Sequence, residues 1–233
     1  MTSTETWPGL LEKLLGGEDL SVAQATWAMR QVMSGDVSEA RLAAFLVALR
    51  AKGETVEEVV GFRDAILEHA VPLDVPPMAL DIVGTGGDMV GTVNVSTMAS
   101  MVCAGAGIPV VKHGGGASSA KSGSSDVLSA LGAVHTADPV RVRRIFEEVG
   151  LTFVYAAQFH PGFGHARKVR GELGVPTVFN LLGPLTNPAR PEASAVGVAR
   201  QAAIPLITGV FRTRGATALV FRGDDGLDEL SVT

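Results

Sequence analysis

From Leu80 onward the chain alternates short apolar runs with helix-patterned stretches, and this alternation limits its possible folds more than any other feature. The order is LDIVG, a helix from about Ser96, IPVVKHG, a helix from about Ser124, another from about Asp138, TFVYA, a helix near His165 to Leu173, ASAVGVA, a helix from about Ala202, and ATALVFRG. Such a pattern predicts a largely parallel sheet with helices on its faces. In open sheets of this kind ligands bind beyond the carboxyl ends of the strands. The glycine turn Gly84-Thr85-Gly86-Gly87-Asp88 and the segment Lys112-His113-Gly114 fall at such ends.

The residues before Val71 read differently. Ser21 with Gln24 and Thr55 with Glu58 fit the capping box, in which two side chains satisfy free N–H groups at a helix start. Leu42, Phe45, Leu46 and Leu49 recur at helical spacing and predict one apolar stripe. In a fourth helix Val56, Val59, Val60 and Leu67 are expected on one side, with Glu57, Glu58, Asp64 and Glu68 facing water. The prolines at 72, 76 and 77 cannot continue a helix and mark a linker. The expected organisation is a helical bundle domain over 1–72 and an α/β domain over 73–233, with a segment near 160–192 a candidate to pack with the helices.

Three places carry chemistry. Glycines at 84, 86 and 87 let backbone N–H groups approach an anion, and Ser96 and Thr97 add hydroxyls where a helix dipole favours negative charge. The stretch matches neither the P-loop nor the G-x-G-x-x-G pattern, and a purely structural turn fits it equally well. Lys112 and His113 bring a cation and an imidazole to the same sheet edge. The loop after them is rich in hydroxyls, and Ser124 or Ser125 can open a helix. At Asp224, Asp225, Asp228 and Glu229 four carboxylates crowd into six residues. They suit a hard cation such as Mg²⁺ or, equally, a solvated acidic turn. Arg170 could clamp a carboxylate through its planar fork.

Charge and cysteine usage bound the rest. A net charge of -5 and the absence of a basic stripe argue against nucleic acid or anionic membrane as partner. No apolar run is long enough to span a bilayer, and the N-terminus lacks the basic start and apolar core of a secretory signal. The single cysteine, Cys103, is expected to be a small buried core residue in a reducing compartment, so a cytoplasmic location is expected.

Taken together, these pieces resemble the anthranilate phosphoribosyltransferase family. The likeness is carried in order by Gly84 to Asp88, Asn94-Val95-Ser96-Thr97, Lys112-His113-Gly114 and Ser122 to Asp126. It continues through His160-Pro161, Phe179 to Pro188 and Asp224 to Leu230. It implies a helical bundle domain beside a larger, mostly parallel α/β domain of the nucleoside phosphorylase/phosphoribosyltransferase type, usually as a homodimer. It also implies an enzyme that transfers the phosphoribosyl group of 5-phosphoribosyl 1-diphosphate (PRPP) to the amine of anthranilate. Pyrophosphate leaves, Mg²⁺ is the cofactor, and tryptophan biosynthesis is the setting. By position, the resemblance assigns PRPP binding to Gly84, Thr85, Gly86, Gly87, Asp88, Thr92, Asn94, Ser96, Thr97, Lys112 and Ser124. It assigns anthranilate to Gly84, His113, Gly115, Arg170, Gly183 and Pro184, and the metal to Ser96, Asp228 and Glu229. No single catalytic residue is implied; Lys112, His113 and Arg170 are expected to act by positioning.

Two departures from the family pattern stand out. Gly115 and Gly116 occupy places where members read asparagine and arginine, which predicts weaker substrate binding. The sequence also reaches Thr233 soon after the acidic motif, where members continue, so uncovered strand edges and apolar helix faces are expected, as in a chain truncated at its C-terminus. The competing readings are a paralogue of the same fold with another acceptor, and a non-catalytic binding module.

Overall fold

The computed structural model describes residues 5–116, 123–133 and 136–231. Most of the hydroxyl-rich loop after Gly114, Ser122 included, lies outside the described residues. The chain divides into two compact units, one of Met1–Ala70 with His160–Leu182, the other of Val71–Phe159 with Gly183–Thr233.

The first unit is helical: α1 (Trp7–Leu15), α2 (Val22–Ser34), α3 (Glu39–Lys52) and α4 (Val56–Glu68), joined later in the chain by α9 (Gly164–Leu173) and α10 (Phe179–Leu182). Both capping boxes form, at Ser21 with Gln24 and at Thr55 with Glu58. Trp7, Phe45 and Phe62 meet edge to face at the centre, with ring centroids 5.5 and 5.9 Å apart, a favoured aromatic geometry. Two expectations for α4 need correction. Glu58 is fully buried rather than facing water, because its carboxylate accepts from Leu20 N–H and Thr55 N–H and pairs with Lys52 at 3.0 Å. The buried stripe runs through Val59, Phe62, Ala65 and Ile66, while Leu67 is half-exposed.

The second unit holds five parallel strands, β1 (Leu80–Gly84), β2 (Val110–Gly114), β3 (Leu151–Tyr155), β4 (Ala193–Gly197) and β5 (Thr217–Phe221), in the order β3-β2-β1-β4-β5. Between them lie α5 (Val95–Gly105), α6 (Ser124–Ala130), α7 (Pro139–Val149), the short α8 (Ala156–Phe159) and α11 (Ala203–Thr213). A core of Val111, Val142, Phe146, Val154 and Phe159 packs with Leu73 and Val75. Strand order reverses between β1 and β4, the kind of switch point where open α/β sheets take ligands. Cys103 is half-exposed rather than buried, since α5 turns an apolar face outward with Met98 at 49% and Val102 at 71% exposure. At the sheet edge Leu219 of β5 is exposed as well.

One pairing differs from the rest. β2–β3, β1–β4 and β4–β5 each run in register along their length, whereas β1 and β2 pair at Leu80–Val110. Beyond that point side chains occupy the ladder groups. His113 N–H donates to Asp81 Oδ1 at 3.0 Å, Val111 C=O accepts from Asn187 Nδ2 at 2.9 Å, and Ile82 C=O accepts from Lys112 Nζ at 2.5 Å. Asn187 Nδ2 also donates to Asp81 Oδ2 at 3.0 Å. By the alternation of the pleat, Asp81 and Lys112 enter the gap from opposite faces of the sheet.

Candidate active site

At the switch point two strands end on paired glycines, Gly84 and Gly197. A Cβ on Gly84 would stand 2.7 Å from Asp228 Oδ2, and one on Gly197 would collide with the Asp228 carbonyl oxygen. The missing side chains therefore admit the acidic turn onto the strand ends. That turn is internally braced: Gly223 N–H donates to Leu227 C=O, and Asp225 accepts from Leu227 N–H and from the Ser231 hydroxyl. Asp225 thus serves the turn and Asp224 is exposed, while Asp228 reaches inward to accept from Gly86 N–H at 2.9 Å.

A cleft of about 200 Å³ opens beside this contact. It is lined by Gly84, Thr85, Gly86, Gly87, Asp88, Thr92, Asn94, Ser96, Lys112, His113, Gly115, Ser124, Asp228 and Glu229. Thr97 instead spends its hydroxyl on Ser124 Oγ at 3.0 Å, holding α5 to α6. Gly183 and Pro184 do not line the cleft; Gly183 C=O accepts from His113 Nδ1 at 3.0 Å and so orients the imidazole. Arg170 belongs to the helical unit, its guanidinium 5.0 Å from the Phe179 ring centre. Burial pulls its pKa down, and among the described residues no carboxylate offsets that shift. Such a cation suits an incoming carboxylate.

The cleft is electrostatically polarised. Lys112 is 2% exposed, and burial pulls its pKa to about 8 despite the opposing charges of Asp81 and Glu229. Its Nζ also donates to Ser96 Oγ at 3.2 Å. Burial, then the neighbouring charge of Asp228, pushes Glu229 up to about 7. Asp228 is raised by burial and by the charge of Asp88. Asp88 Oδ2 is buried and accepts no hydrogen bond among the described residues. Carboxylates that repel one another, one with an orphaned oxygen, are a donor set that fits a hard divalent cation. Among the described residues no three acidic or imidazole groups converge into a complete metal site. A bound Mg²⁺ would complete its shell with the Ser96 hydroxyl, water and substrate oxygens, as this ion commonly does.

Sequence reading gave no role to Asp81, Asn187 or Gly197. An aspartate inside the run LDIVG was the available signal, because a carboxylate in a buried strand must find partners. Nothing local marks Asn187 or Gly197 as their counterparts.

Comparison with known proteins agrees with this architecture. Residues 76–233 match the model described as "Glycosyl transferase family, a/b domain", and residues 8–70 match "Glycosyl transferase family, helical bundle domain". Over its whole length the chain is 66% identical to the anthranilate phosphoribosyltransferase of Leifsonia xyli subsp. xyli and 60% identical to that of Clavibacter michiganensis subsp. michiganensis, spanning 67% of each. Among solved structures, the anthranilate phosphoribosyltransferase of Thermus thermophilus superposes with a TM-score of 0.90 at 45% identity, over 95% of this chain and 67% of that one. The Saccharomyces cerevisiae enzyme in complex with PRPP and Mg gives 0.89 at 33%, over 98% of this chain and 69% of that one.

Proposed function

The chain belongs to the anthranilate phosphoribosyltransferase family, and from that premise we infer that it transfers the phosphoribosyl group of PRPP to the amine of anthranilate, releasing pyrophosphate, in tryptophan biosynthesis. The observation that carries this reading is the facing of a glycine turn, a buried lysine and an acidic turn across one cleft. A diphosphate needs all three: N–H donors, a fixed cation, and carboxylates for the metal that accompanies it.

The amine of anthranilate is neutral at neutral pH and already nucleophilic, so no residue has to act as a strong base. Catalysis on this reading is positioning and charge stabilisation. The Gly84–Gly87 turn, Asn94 and the start of α5 receive phosphate oxygens, and Lys112 and Ser124 add further donors. Asp228 and Glu229, with Ser96, hold Mg²⁺. When bound, Mg²⁺ neutralises charge that builds on the departing pyrophosphate. His113, fixed through Gly183, orients the acceptor with Gly115 and Pro184. The reading extends to a homodimer in the cytoplasm; among the described residues no helix is long and apolar enough to cross a membrane.

Titration of the purified chain with PRPP, with and without Mg²⁺, followed by an assay with both substrates, tests the reading. Mg²⁺-dependent PRPP binding and formation of phosphoribosyl anthranilate are expected. A folded chain that makes no product from the two substrates would refute it, and light scattering reports the expected dimer.

A further inference from the structure

A parallel sheet has no structural need for a charged wedge between two of its strands. Elsewhere in this sheet the backbone closes the ladder by itself. Between β1 and β2, His113 N–H, Val111 C=O and Ile82 C=O are each met by a side chain. Asp81 is fully buried, with both carboxylate oxygens engaged, and Asn187 is 4% exposed. Asn187 is itself held, since its Oδ1 accepts from Ala189 N–H at 3.0 Å. Removing a charge from water costs several kcal/mol, and apolar replacements of buried ion pairs are often as stable or more so. A device of that cost at the base of the cleft calls for a purpose beyond holding two strands together.

We propose that Asp81 and Asn187 are positioning residues for PRPP: their side chains take the place of the ladder between β1 and β2 and set the separation at which the Gly84–Gly87 turn and the Lys112 ammonium face the diphosphate. Position in the chain supports this. Gly84 ends β1 three residues after Asp81, and Lys112 immediately precedes the His113 amide that Asp81 captures. Lys112 is anchored across the same gap to Ile82 C=O, so the spacing of the two strands fixes where its ammonium stands relative to Ser96. Asn187 lies in the turn that begins at Gly183, whose carbonyl holds the His113 imidazole. One amide thus ties the turn to the strand ends beneath the cleft.

The proposal rests on the transferase reading, and it is tested with the full chain. PRPP affinity is measured by calorimetry with Mg²⁺, alongside KM for PRPP, kcat and Tm, for Asp81→Asn, Asn187→Asp and Asn187→Ser. Each single variant is expected to weaken PRPP binding by about tenfold or more, with kcat at saturating PRPP little changed, as for groups that orient binding residues. Val210→Ala, in the buried face of α11, serves as control, lowering Tm without moving PRPP affinity. Asn187→Ser carries the test if Asp81→Asn does not fold. Unchanged affinity in the single variants, or a loss that follows Tm as in Val210→Ala, would overturn the positioning role alone. A wild-type chain that does not bind PRPP overturns the transferase reading together with it.

Discussion

Asp81 holds a charge where water does not reach, and its titration should be visible in the stability of the whole chain. Burial raises its pKa to about 6, with Lys112, Asn187 and the His113 amide pulling the other way. The folded state therefore keeps this proton over a range, from about 4 to about 6, in which an unfolded aspartate has released it. Within that window the folded chain binds more protons, so the contribution of Asp81 to stability falls as pH rises, by at most about 1.4 kcal/mol per pH unit. Urea unfolding of the wild type and of Asp81→Asn at pH 4, 5 and 6 should show the wild type losing ground to the variant across the series. A constant difference would contradict the assignment. Glu58, by contrast, is buried through a capping box and an ion pair. Its sequence neighbours gave a solvent-facing pattern because helical periodicity counts polarity and is blind to a partner such as Leu20 N–H, far away in the chain.

At the level of elements, the alternation of runs located all five strands, and cap residues such as Ser21, Thr55 and Asp138 placed helix starts within a residue or two. Those signals are local, carried by side-chain spacing and by free N–H groups. What stayed hidden is long-range: the hydrogen bond between Asn187 and Asp81 spans 106 residues, and no window of sequence contains both ends. The β2–α6 connection begins with Gly115 and Gly116, where the family reads asparagine and arginine. At Gly115 an added Cβ would find its nearest neighbour, Ala156 Cβ, at 3.8 Å, and at Gly116 Ser125 Oγ at 3.7 Å, ordinary contact distances without a left-handed backbone. Among the described residues a Cβ therefore fits at both positions. Gly115→Asn/Gly116→Arg should lower KM for a substrate or raise kcat, through added contacts and a smaller ordering entropy. Steady-state kinetics that show neither would mean that this chain compensates for the missing groups elsewhere.

For the molecule as a whole, mass action offers a direct measurement. PRPP with Mg²⁺ binds the folded chain and not the unfolded one, so at a hundredfold excess over Kd the native state should gain about 2.7 kcal/mol. Thermal melts should show a rise in Tm with both present, and a return toward the free value when EDTA removes the metal. An unchanged Tm at saturating PRPP would speak against the site. The helical and sheet units each bring together distant parts of the chain, and the acidic turn does so on a smaller scale, seating Asp228 against Gly84 and Gly197. Because a methyl group at either glycine meets the same aspartate, the three positions are not free to drift separately. In a randomised library selected for activity, a larger residue at 84 or 197 would survive only where the acidic turn had moved to make room for it.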